Sequence, residues 1–204
     1  MKNNKSVNFK IAITGAFGAL TIVLGITRWG FISLSPVVSL TIMHVPVILA
    51  TLIGGLGPGI GVGFIFGVFS LIQAAMSPTG VLDPLFINPL ISILPRMLIA
   101  VIVYFVDKLF ALIPKVGKIL SGEVAAFLGS LSNTVFVIGA LYLIYNTKMT
   151  EAMGNVGYIA GLAALMPNAL LEAVFAVLIT ALVLTGMYVS SKKRSKLSAE
   201  ENAE

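Results

Sequence analysis

Long apolar stretches separated by short polar ones run the whole length of the chain. No Lys, Arg, Asp or Glu stands between Arg28 and Asp83, and further uncharged runs lie between Glu123 and Lys148, Glu151 and Glu172, and Glu172 and Lys192. A bilayer core is about 30 Å thick and a helix rises about 1.5 Å per residue, so one crossing takes roughly 20 apolar residues. The pattern predicts six crossings, over about 9–26, 40–53, 60–75, 90–110, 124–145 and 158–188. The segment 31–38, with Pro36, is expected in the headgroup region or over the protein. The run GGLGPG at 54–59 predicts a tight turn between two membrane helices. Gly59, Gly63 and Gly67 then lay bare backbone along one face of the third span, which suits close helix contact. The connection 76–89 carries three prolines and is long for a turn. A short polar loop with Lys148 and Glu151 joins the last two spans. The expected fold is all-α: a polytopic six-helix bundle over 1–191, with a basic and acidic tail at 192–204.

Composition strengthens this reading. Of 204 residues 58% are hydrophobic and 10% charged, with a mean hydropathy of +1.04; a soluble domain carries roughly 25% charged residues. The net charge is +5 and the pI about 9.6, but the basic residues cluster beside apolar runs without interleaved aromatics, which reads as topology and not as nucleic-acid binding. Lys2, Lys5 and Lys10 precede the first apolar run in the outline of a signal peptide, yet no polar cleavage region follows, so the run reads as a retained helix. Six crossings put both termini on one side. Of the 13 Lys and Arg, ten then fall on that side, Arg28 and Lys148 on the other, and Arg96 inside the fourth span. The positive-inside rule makes the basic side cytoplasmic.

Ionisable groups at membrane depth cost several kcal/mol unless paired or facing a cavity, on the order of 3 kcal/mol each, and so mark functional candidates. His44, Arg96 and Glu172 are the three here. Arg96 follows Pro95, and Glu172 follows Pro167 and Asn168; both prolines free backbone carbonyls. Asn133 with Thr134 adds hydrogen-bonding groups at mid-depth of the fifth span, and Asn88 stands at the outer mouth of the fourth. Arg96 and Glu172 fit either an interhelical ion pair or the wall of a pocket for a small polar ligand. His44 fits helix packing or ligand contact, and Asn133 and Asn168 fit interhelical hydrogen bonding or ligand contact. Ala12 and Ala16, with Gly15 and Ala19 one face over, give the first helix small-residue faces suited to close packing or to docking by another membrane protein.

No catalytic constellation stands out. The chain has no Cys and one His, which excludes thiolate chemistry and a His-based metal cluster. GxSxG, HExxH and a Walker A lysine are missing, so neither ATP use nor intramembrane hydrolysis is indicated, and no cofactor is expected. An intramembrane enzyme or a packing scaffold is the contrasting reading to solute binding.

The chain resembles the substrate-binding S components of energy-coupling factor (ECF) vitamin transporters. The resemblance spans nearly all of it. It rests on AITGA at 12–16, HVPVI at 44–48, the glycine turn leading into GFIFG at 63–67, FINP at 86–89 with LPR at 94–96, and GSLSNT at 129–134. Within the family it looks most like the pantothenate-type branch, with pyridoxine, riboflavin and folate as other vitamins. The resemblance implies a bacterial membrane subunit that captures a vitamin from outside, docks on a transmembrane T component driven by two cytoplasmic ATPases, and topples to release its cargo inward. It implies that Ala12 and Ala16 form the docking face and that the loops at 31–38 and 76–88 form a lid. Asn88, Arg96, Asn133, Asn168 and Glu172 become pocket residues. Arg96 suits a vitamin carboxylate, because a desolvated bidentate pair is strong and directional.

Overall fold

The computed structural model describes residues 6–27, 29–33, 39–78, 82–113, 117–152 and 154–201. Expectations about Lys2, Lys5, Arg28, the loop interior 34–38, residues 79–81, 114–116 and the last three residues fall outside them. Seven helices and a small hairpin follow in order: α1 (Val7–Ile26), β1 (Phe31–Ser33), β2 (Ser39–Thr41), α2 (Val45–Gly54), α3 (Leu56–Met76), a 3-10 turn (Asp83–Ile87), α4 (Pro89–Ser92), α5 (Leu94–Ala111), α6 (Lys118–Ala152) and α7 (Tyr158–Glu201). Five of the resulting segments are long and apolar enough to cross a membrane, with α2 as a shorter sixth. The protein is a multi-pass membrane bundle.

Small residues set the helix spacing. The buried face of α1 is Gly18, Thr21 and Gly25; a side chain at Gly18 would run into Ile65, and one at Gly25 into Phe69 and Met43. The glycine face of α3 packs on α5 as expected, since a Cβ at Gly63 would stand 2.6 Å from the Arg96 carbonyl oxygen and one at Gly67 2.5 Å from Ile93 Cα. Between α2 and α3 the chain reverses at Gly55, whose φ of 94° lies in the left-handed region that glycine alone adopts freely. α2 touches α1, α3, α5, α6 and α7, and every one of its residues except Leu52 is buried. That explains why its sequence is apolar all round and not striped.

Several boundaries differ from the pattern reading. The second crossing does not begin as a helix at residue 40: Leu40 lies in β2, which pairs antiparallel with β1, and the helix starts at Val45. Pro46 lacks an N–H and is tolerated only in a first turn, so it fixes that start. The 31–38 segment likewise opens with strand β1. The fourth span breaks at Ile93 into α4 and α5, with Pro95 in the first turn of α5. The polar loop expected after residue 145 is instead a continuation of α6 to Ala152, bent at Tyr145 (φ −126°, ψ 43°), and it buries Met149 completely. α7 continues through the basic cluster to Glu201 as 44 helical residues, about 66 Å at the usual rise.

Two cores result. One surrounds α2 and includes Ile48, Val62, Phe66, Ile99, Val103 and Ala126. The other joins the 3-10 turn and α4 to the far ends of α6 and α7 through Leu85, Ile91, Leu141, Tyr142 and Met149. The bundle thus has a hairpin end, with β1, β2 and the second core, and a basic end, with Ser6, Gly55, Lys118 and the last turns of α7.

Candidate functional site

A proline creates the surroundings of Arg96. Pro95 cannot donate to the carbonyl four residues before it, Ile91. The Arg96 guanidinium takes that carbonyl instead, donating from Nη1 at 2.7 Å. Phe66 of α3 and Phe86 of the 3-10 turn flank the guanidinium, its carbon 5.5 and 5.2 Å from the ring centroids, within the range where a ring face attracts a cation. Arg96 is 8% exposed, and its Nε has no hydrogen-bond partner. The Ser92 hydroxyl donates to the Phe86 carbonyl, so the break, the 3-10 turn and the arginine form one unit.

Glu172 lies on α7 and is 4% exposed. Its Oε1 accepts the backbone N–H of Thr41, at the end of β2, at 2.7 Å and the Asn168 amide at 3.4 Å. Arg96 and Glu172 therefore do not form the interhelical ion pair: each is held by other partners among the described residues. The carboxylate ties the hairpin to α7.

The remaining polar groups fall at the same height. A side chain at Gly129 of α6 would collide with Val103 and sit 3.7 Å from Ile48 and Ile99, so these residues of α2, α5 and α6 share a level. α2 and α5 run away from the hairpin end and α6 toward it. About one turn nearer that end, the three helices carry His44, Arg96 and Asn133 respectively. Thr41, three residues before His44, brings Glu172 and Asn168 to the same end. His44 is fully buried with no hydrogen-bond partner for either ring nitrogen, Asn133 Oδ1 has none, and neither has Ser130 Oγ, one residue along from Gly129. An unmatched buried polar group costs about 1–3 kcal/mol. This core carries several such groups at one level.

Asn88 sits differently. Its Oδ1 accepts the Leu90 N–H at 3.0 Å, capping α4, and its amide reaches the Tyr145 hydroxyl only at 3.5 Å. Ala12, Gly15, Ala16 and Ala19 are all exposed on α1, on the side away from the Gly18–Gly25 contact with α3. Sequence reasoning missed Ser130, the two flanking phenylalanines and the Thr41 backbone. The four-residue step from Ile91 to Pro95 was a signal for the arginine's partner; nothing local signals Thr41, which is 131 residues from Glu172.

The fold is that of a multi-pass membrane bundle whose hairpin half buries Arg96, Glu172 and several hydrogen-bonding side chains without partners among the described residues. The family described as "ECF transporter, substrate-specific component" matches residues 9–184, and the chain belongs to that family. A relative in Lactococcus lactis subsp. cremoris (strain MG1363), the pantothenic acid transporter PanT, is 27% identical over 202 residues, covering 92% of this chain and 96% of that protein.

Proposed function

We propose that this protein captures pantothenate from outside the cell and hands it to an ATP-driven import module, catalysing no reaction itself. The observation that carries this reading is the buried Arg96 guanidinium, oriented by Ile91 and two aromatic rings at the level of His44 and Asn133. Pantothenate is an acid with an amide and two hydroxyls. A fixed guanidinium suits its carboxylate and the unmatched polar atoms suit its body. Likeness to the Lactococcus pantothenic acid transporter over nearly the whole chain supports the same substrate.

On this reading Arg96, Asn133, His44 and Asn168 contact the vitamin, Glu172 holds the hairpin over it, and Asn88 shapes the rim. The basic end faces the cytoplasm with both termini, in a bacterial membrane. Ala12, Gly15, Ala16 and Ala19 meet a transmembrane T component, which two ATPases drive, and 192–204 forms a cytoplasmic extension. The test is calorimetry on detergent-purified protein with pantothenate, pyridoxine, riboflavin and folate. Tight binding of pantothenate alone is expected. Preference for another of the four would reassign the substrate, and binding of none would remove the vitamin reading.

A further inference from the structure

The last turns of α7 combine two chemistries on one face. An open furrow of about 720 Å³ is bordered by Leu182, Val183, Gly186 and Met187 at one end and by Ser190, Ser191, Lys193 and Arg194 at the other. Gly186 contributes a notch: no atom lies within 4 Å of where its Cβ would be. Leu182 and Met187, both on the furrow, are 75% and 46% exposed, so this face of α7 is turned away from the bundle.

Its height in the bundle follows from packing. A side chain at Gly122 of α6 would meet Leu184 of α7, and one turn beyond these stand Lys118 and Tyr188, at the basic end. The apolar part of the furrow therefore lies at acyl-chain depth, and Lys193 and Arg194 lie past the helix's interfacial tyrosine at headgroup depth. An apolar notch ending in two hydroxyls and two cations matches a phospholipid with a net negative headgroup. We propose that this furrow binds an anionic phospholipid from the leaflet at the basic end, phosphate on Lys193 and Arg194, one acyl chain along Leu182, Val183 and Gly186. A zwitterionic lipid offers its own cation to the same residues and is the weaker occupant. Bound there, the lipid anchors the point where α7 leaves the membrane.

The experiment uses the full chain reconstituted in bilayers, with Trp29→Phe removing the sole native tryptophan and Val189→Trp, at a position 59% exposed and one turn from both Gly186 and Lys193, placing a reporter beside the furrow. Quenching by brominated phosphatidylglycerol is compared with quenching by brominated phosphatidylcholine at equal mole fraction. A second reporter, Leu120→Trp, sits at the same end on α6, where the side chain is 50% exposed. Stronger quenching by the anionic lipid is expected at residue 189 but not at 120, with the preference falling about fivefold for each basic side chain removed in Lys193→Gln and Arg194→Gln. Equal quenching by both lipids at 189, the same preference at 120 and 189, or a preference that survives both substitutions overturns the proposal. Pantothenate binding is not involved in any of these readouts.

Discussion

Arg96 shows how one local irregularity sets up chemistry. Without Pro95, the Ile91 carbonyl would accept an ordinary helical bond and the guanidinium would have no fixed partner. With it, Arg96 is anchored at one nitrogen, while its Nε has no partner. Arg96→Gln removes the cation and is expected to weaken pantothenate binding by about 10- to 100-fold, the worth of a charge-assisted hydrogen bond. Calorimetry checks this, and unchanged affinity would detach the arginine from the vitamin. Arg96→Lys keeps the charge but loses the planar fork, so it should recover only part of the affinity. His44 was legible from the sequence as a lone ionisable group at membrane depth. Its lack of any partner in the packed core was not, because that depends on five neighbouring helices.

At the scale of elements, the glycine face of α3 and the α7 carboxylate hold two different kinds of contact. The first is steric. Gly63→Ala would place a methyl 2.6 Å from the Arg96 carbonyl oxygen, and since a backbone atom cannot swing aside, about 1–3 kcal/mol of destabilisation is expected, read as a lower midpoint of thermal unfolding in detergent. The second is polar and spans the chain. Glu172→Leu removes the acceptor for the Thr41 N–H and should speed release of bound pantothenate by about 10-fold or more, while Glu172→Gln keeps an acceptor oxygen and should behave nearly as the parent. Stopped-flow release rates decide; equal rates in all three proteins would deny the hairpin any hold over the ligand. The glycine spacing was readable in sequence because i, i+4 repeats define a helix face. The hairpin was not, since three-residue strands carry too little alternation to stand out from an apolar loop.

For the whole molecule, the division of α1 into two faces matters most. Gly18 and Gly25 are covered by α3, whereas Ala12, Gly15, Ala16 and Ala19 stay exposed. Tryptophans at Ala12 and Ala16 should leave folding and pantothenate binding intact and abolish uptake in cells that supply the import module. Uptake at the parent rate would mean that the partner docks elsewhere.

The sequence by itself determined that this is a polytopic bundle, which apolar runs become its helices, and which ionisable side chains stand in or beside those runs. Those properties follow from apolar run length and the cost of burying charge, which act locally along the chain. Tertiary structure alone decided that α2 is a ten-residue helix at the centre of the bundle, that Arg96 and Glu172 have separate partners, and that His44, Arg96 and Asn133 share a level. Each depends on which helices become neighbours and how far each is shifted along its axis, and that is set by close packing among residues far apart in the chain.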